Sequence, residues 1–263
     1  MADDTAASTP GSRIDVTLVA GGKYHDIDYA RLELLKLLAE HEEFRVRVQP
    51  NYEDHAAIAR SSLMVSYTCD VRPSAEAQDA IRAWVEGGGR WVALHGPNSA
   101  LQLGGPNGVE APRCQPVWSE TLGSQFVAHP PIQPYHVEVT DPDHWLVAGV
   151  EGFETDDELY LQEYADRDAL HALMHTTWSG DAKGFAESDW SVETRGTDQH
   201  LIMYLRNLGR GAVLYNTLGH CRGHYDMVPA MDYYPTIERC SWEQPAYYEI
   251  LRRSLRWARG ETS

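Results

Sequence analysis

The sequence predicts an α/β fold, a doubly wound and mainly parallel sheet with helices on both faces. Three observations carry this expectation. Short apolar, β-branched runs alternate with amphipathic segments over roughly the first hundred residues. Three glycines, Gly87 to Gly89, stop one helical pattern just before the buried run Arg90–Leu94. Histidines close several of the apolar runs, and open α/β sheets bind ligands outside the carboxyl ends of their strands.

The elements follow in order. Ile14 to Ala20 is an apolar run and the expected first strand, with Gly21 and Gly22 turning the chain after it. Asp28 to Glu42 places Leu32, Leu35, Leu38 and Ala39 at helical spacing. Phe44 to Gln49 alternates as a second strand, Ala56 to Arg60 forms a short helical turn, and Ser61 to Thr68 reads as a buried third strand. Ser74, after Pro73, is the expected N-cap of a helix running to Glu86. A fourth strand then leads to His95. Beyond it the pattern weakens. Residues 102–119 are rich in Gly, Pro and Asn and are expected as a loop over the site, and 179–199 as a polar hairpin or lid. Tyr135–Val139 and Leu170–Thr176 read as strands, His200–Leu208 and Gly211–Leu218 as a hairpin or two close strands, and Ala246–Arg259 as a closing helix. No repeat or linker divides the chain. A single domain is expected over 13–260, with residues 1–12 as a disordered tail.

Composition narrows the partners. The chain has 263 residues, 43% hydrophobic, enough for one substantial core. Its net charge of −17 disfavours nucleic acid and anionic membrane surfaces, and suits neutral ligands or cations. No run approaches the length of about 18 apolar residues that a membrane helix needs. The four cysteines, Cys69, Cys114, Cys221 and Cys240, form no CxxC pair. A reducing, cytoplasmic location is expected.

Several catalytic signatures are absent, including GxGxxG, the P-loop, the GxSxG elbow and HExxH. What remains is a constellation of histidines and carboxylates: His25–Asp26, His95, His129, Asp157–Glu158 and His220. Imidazoles are both common metal ligands and common bases near neutral pH. His95, His220, Glu158 and Asp26 are the candidate catalytic residues. Tyr24, Tyr67, Tyr160 and Trp178 are candidates to wall a sugar pocket. His25, His95, His129 and His220 are candidate ligands for a divalent metal, zinc, manganese or magnesium. His41, His55, His144 and His171 are expected to be satisfied polar residues outside any site, and His136, His175 and His200 structural ones.

The motifs also resemble a known family. Gly22-Lys23-Tyr24-His25-Asp26, Ser66-Tyr67-Thr68 and Gly87 to His95 appear in order. Leu122 to Phe126 leads to His129-Pro130, and Asp157-Glu158-Leu159-Tyr160, Gly209 to His220 and Arg256-Trp257-Ala258 follow. Over about residues 14–260 the chain is similar to ThuA-like proteins of trehalose utilisation, within the class I glutamine amidotransferase-like superfamily. The resemblance implies a flavodoxin-like sheet and a role in carbohydrate metabolism. Trehalose, related disaccharides and their 3-keto derivatives are the implied substrates, alongside sugar oxidoreductase partners. It also implies a departure: amidotransferases carry a nucleophilic cysteine after the fourth strand, whereas this chain has none between Cys69 and Cys114.

Three functional readings follow. The first is an enzyme acting on a disaccharide, glycoside or 3-keto-sugar through strand-end histidines, with or without a divalent metal. The second is a non-catalytic module that binds sugar or scaffolds an oxidoreductase. The third, an amidase using Cys221, is disfavoured because adjacent residues point their side chains apart. A homo-oligomer is compatible with all three.

Overall fold

The computed structural model describes residues 13–261. The expected N-terminal tail lies outside that range. The chain opens with β1 (Ile14–Gly22), α1 (Ile27–Leu38), β2 (Phe44–Gln49), α2 (His55–Ala59), β3 (Leu63–Cys69), α3 (Ala75–Glu86) and β4 (Arg90–Leu94). It continues through β5 (Gln102–Gly105), β6 (Gly108–Glu110), α4 (Pro116–Leu122), β7 (Ser124–Ala128), β8 (Gln133–Val139), β9 (Phe153–Asp157) and β10 (Leu161–Tyr164). β11 (Leu170–Thr177), α5 (Val192–Arg195), β12 (Gln199–Leu208), β13 (Gly211–Asn216) and α6 (Pro245–Ala258) complete it.

The main sheet has nine strands in the order β2-β1-β3-β4-β13-β12-β11-β8-β9. The first five are parallel, and the remainder extend the sheet antiparallel from the β12–β13 hairpin. Alternation along each strand explains the two layers. In β4, Val92 and Leu94 enter one cluster with Leu34 and Leu37 of α1 and Ile250 and Leu255 of α6. Trp91 and Ala93 point the other way, into a cluster with Ile58, Ile81, Val85 and Trp118. Helices thus cover both faces, and every residue of β3 is buried for that reason, Ser66 and Thr68 included.

Local chemistry sets the ends. Asp26 and Ser74 cap α1 and α3 by accepting from Tyr29 N–H and Ala77 N–H. Gly89 is required because a β carbon there would lie 2.4 Å from the Trp84 ring.

Three expectations need correction. Residues 102–119 are not one loop: Gly105-Pro106-Asn107-Gly108 turns a small hairpin, and Pro116 starts α4, which Gly123 ends in the left-handed conformation. The stretch 124–164 contributes strands β7, β9 and β10 that composition hid, since each is only four or five residues long and buried polar residues such as Ser124, Asp157 and Gln162 break the apolar pattern. α1 stops at Leu38 rather than Glu42. Among the described residues no helix is long and apolar enough to cross a membrane.

Candidate functional site

The order β2-β1-β3 marks the point where the chain, having built outward from β1, returns to the other side of it. In such sheets the crevice for ligands opens there, beyond the carboxyl ends of the strands. Three non-glycine residues with positive φ lie at those ends: Tyr24 (φ 68°) after β1, Asp70 (φ 52°) after β3 and His95 (φ 61°) after β4. Such strain persists only where surroundings enforce it, and it gathers at functional sites. At His95 the enforcement is visible. Its N–H donates to Asn216 O, its carbonyl accepts from Tyr215 Oη, and its Nδ1 lies 2.7 Å from Thr217 O.

Four buried side chains meet at this edge. His25 Nε2 lies 2.8 Å from His95 Nε2. Glu158 Oε2 stands 3.6 Å from His25 Nε2, 3.4 Å from His95 Nε2 and 3.4 Å from His220 Nδ1. One donor atom from each of the four falls within 4.8 Å of every other. The rings of His95 and His220 are 5.5 Å apart.

Hydrogen bonds on the far side of each ring decide which nitrogen is bare. Carbonyls only accept, so His95 Nδ1 donates to Thr217 O and His25 Nδ1 to Lys23 O, 3.2 Å away. Both Nε2 atoms then present lone pairs to the centre in the neutral rings. His220 Nε2 donates to Glu238 Oε2 at 2.9 Å, which in the neutral ring leaves a bare Nδ1 facing inward, 3.4 Å from Glu158 Oε2. Three lone pairs and a carboxylate converge on one point, an arrangement that suits a cation or a group of hydrogen-bond donors.

Electrostatics agree. Burial pulls the His25 pKa down to about 3. Burial also opposes charge on His220, but attraction and hydrogen bonding from Glu158, with a further bond from Glu238, raise it to about 9. Burial would raise Glu158, yet the neighbouring His129 and His220 hold it well below the usual carboxylate range. Without an ion, the central positive charge is therefore a proton on His220.

A supporting shell surrounds the four. Glu238 accepts from His220, from Arg222 Nη1 at 3.1 Å and from Tyr234 Oη at 2.8 Å. Asp157 fixes the turn that delivers His220: Oδ1 accepts from the N–H of Glu158 and of His220, and Oδ2 from Gly219 N–H and Ser241 N–H. Neither Glu238 nor Arg222 stood out in the sequence, because both lie in an irregular stretch without periodicity.

A cavity of about 100 Å³ opens over the cluster. Tyr24, His129, Tyr160 and Arg222 line it with Glu158, under apolar walls that include Phe126 and Phe185. His129 stands one step outside the four-residue group. Its Nδ1 lies 2.8 Å from Pro130 O, and its Nε2 is 3.2 Å from Glu158 Oε1, the carboxylate oxygen not shared by the other three imidazoles. Burial lowers the His129 pKa.

The remaining candidates divide. Tyr24 and Tyr160 line the cavity, and the Tyr160 ring lies 4.5 Å from that of His95. Tyr67 stacks behind His95 and donates to Gly219 O. Asp26 caps α1 and pairs with Arg239 at 2.9 Å. Trp178 does not reach the cavity: it packs beside His200, whose Nε2 lies 2.9 Å from the Trp178 carbonyl. Cys221 points away from His220, its Sγ 3.2 Å from Tyr67 Oη.

Comparison with known proteins places this architecture. A putative ThuA-like protein from Bacteroides uniformis is similar with a TM-score of 0.67 and 14% identity, over 99% of this chain and 97% of that one. Another, from Parabacteroides merdae, has a TM-score of 0.62 and 16% identity, over 96% and 92%. A cytoplasmic protein from Salmonella typhimurium LT2 has a TM-score of 0.50 and 13% identity, over 93% and 97%. At these identities the likeness concerns the fold alone. No match emerges among curated proteins. The sequence model of the ThuA family, described as trehalose utilisation, matches residues 15–233, and the chain belongs to that family.

Proposed function

We propose that this protein is a carbohydrate-processing enzyme that acts on a disaccharide, glycoside or 3-keto-sugar with the help of a divalent metal ion. His25, His95, His220 and Glu158 would hold the ion. The convergence of their donor atoms within 4.8 Å carries the reading. Ligands about 2.0–2.1 Å from zinc at tetrahedral corners stand about 3.4 Å from one another. Four of the six separations here run from 2.8 to 3.6 Å and bracket that value, and all six lie within 4.8 Å. Three nitrogens to one oxygen suit zinc, manganese or another transition ion, and not magnesium, which takes oxygen.

When bound, such an ion supplies a Lewis acid for a sugar carbonyl or hydroxyl. The chain's own groups do the rest. Arg222 and Tyr24 border the reacting face. The apolar walls exclude water and strengthen charge interactions inside. His129, depressed toward the neutral form and within reach of Glu158, accepts a proton from substrate at Nε2 and returns it. A keto-sugar substrate implies an oxidoreductase partner upstream. No thiol takes part, so the glutaminase chemistry of the superfamily is not proposed.

The test is elemental analysis of protein purified without chelator or metal-affinity steps, then a keto-disaccharide assay after stripping and adding back zinc, manganese and magnesium singly. Activity restored by zinc or manganese supports the reading. Unchanged activity with no metal present leaves acid–base histidines alone. Binding of both sugar and ion without turnover makes the chain a sugar-binding module instead.

A further inference from the structure

The cavity over the histidines is small. About 100 Å³ falls below the range of roughly 300–1,000 Å³ usual for ligand pockets, so it admits the reacting part of a sugar and not a whole disaccharide. A second hollow of about 350 Å³ lies against it. Tyr24 and His25 belong to the lining of both. The outer hollow runs along the β1–α1 turn, from Lys23 to Arg31, and faces the segment Tyr225–Val228. The two sides are joined where Tyr24 N–H donates to Asp226 O at 3.1 Å.

Two features state what the hollow would hold. Most of its charges have partners: Lys23 pairs with Asp70, Arg31 with Asp28 and Asp26 with Arg239, while Asp226 accepts from Gly223 N–H. The hollow therefore offers many donors and acceptors to a neutral polyhydroxylated ligand and, among the described residues, carries no unpaired cation to hold an anion. Tyr225, on its wall, is 72% exposed. Its ring meets that of Tyr233 edge-on, centroids 5.8 Å apart, and Tyr233 stacks on His224 at 4.9 Å. An exposed aromatic face beside polar groups is the arrangement that stacks against a sugar ring, and a Tyr side chain has only two torsions to order on binding.

We propose that this outer hollow is the subsite for the second ring of a disaccharide, with Tyr225 as its stacking platform. The inference rests on the carbohydrate reading above and adds the size of the substrate to it. The probes are a 3-keto-disaccharide of glucose and methyl 3-keto-glucoside, which lacks the second ring. The wild-type protein is expected to favour the disaccharide in kcat/KM. Tyr225→Ala is expected to reduce that preference about three- to tenfold through KM, and Tyr225→Trp to preserve it. A preference that Tyr225→Ala leaves unaltered overturns the subsite while the enzyme reading stands. If the wild-type protein turns over neither probe, the keto-sugar reading fails, and saturation-transfer NMR with trehalose decides the subsite separately. Saturation of both rings by the wild-type protein, weakened at one ring by Tyr225→Ala, supports it. Equal saturation by wild type and variant overturns it.

Discussion

His25 and His95 face each other through Nε2 atoms 2.8 Å apart, and each has already committed its Nδ1 hydrogen to a backbone carbonyl. Two bare lone pairs at that distance repel unless something positive lies between or beside them. The fold enforces the contact from opposite sides of β3, since His25 follows β1 and His95 follows β4. Ligand binding to the folded state alone then stabilises it by mass action, about 2.7 kcal/mol at a hundred times the dissociation constant. Zinc or manganese added to chelator-stripped protein is expected to raise the melting temperature, and His95→Ala to abolish the rise. A melting temperature that ignores both ions would remove the metal.

Glu238 should matter as much as a ligand while touching no ion. It receives the Nε2 hydrogen of His220 and so aims Nδ1 at the centre. Outer partners of this kind are worth about 10–100-fold in metal affinity. Glu238→Gln, which can still meet Arg222 and Tyr234, is expected to weaken zinc binding by that factor in a competition titration. Equal affinity in the variant would show that His220 is oriented by packing alone.

The pKa shifts fix the pH dependence. His220 in the metal-free protein stays cationic up to about pH 9, whereas His25, depressed to about 3, is neutral everywhere above that. An incoming ion must displace one proton, from His220. Apparent affinity is expected to fall about tenfold per pH unit on acidification below 9, with one proton released per ion. The raised pKa also stabilises the metal-free fold. That contribution is complete below the unfolded value of about 6.5 and is lost as pH rises through 9. A calorimetric proton count of zero in buffers of different ionisation enthalpy would contradict this assignment.

How much of this could be read from the sequence depends on where each residue lies. His25, His95 and His220 were legible because each follows an apolar run, and the carboxyl ends of parallel strands share one edge. Glu158 was visible through its apolar neighbours Leu159 to Leu161. Glu238 and Arg222 were not, since they sit between β13 and α6, where no period marks burial. Trp178 misled because aromatic composition says nothing of direction. The role of Asp157 emerges only when two distant backbone segments, at 219–220 and at 241, bring their N–H groups to one carboxylate.

Cysteine should be dispensable. Burial lifts Cys69, on the cavity wall, well above the ordinary thiol range, and lifts Cys221 to about 12. Neither is a thiolate near neutral pH, and the thiolate is the nucleophile. Single Cys→Ser changes at 69, 114, 221 and 240 are expected to preserve turnover within severalfold. Iodoacetamide should label the exposed Cys114 first in the native protein. A loss of several hundredfold at one position, with the fold intact, would restore a thiol mechanism.

The roof of the cavity offers the last prediction. Val109, at the β5–β6 hairpin, and Phe185 both line the cavity. Their segments are clasped: Val109 N–H donates to Gly184 O at 2.8 Å, and Ala186 N–H to Val109 O at 2.9 Å. Gly108 makes the clasp possible. Its φ is +103°, and a β carbon on it would lie 2.3 Å from Gly184 O. Backbone strain of this kind costs about 1–3 kcal/mol, comparable with the two hydrogen bonds that hold the clasp. Gly108→Ala should therefore part the hairpin from 184–186 rather than unfold the core, which lies beneath other elements. The amides of Val109 and Ala186 are expected to exchange hydrogen at least tenfold faster, with those of β3 and β4 unaffected. Exchange rates equal to wild type at Val109 and Ala186 would show that the clasp tolerates the methyl group and does not depend on glycine.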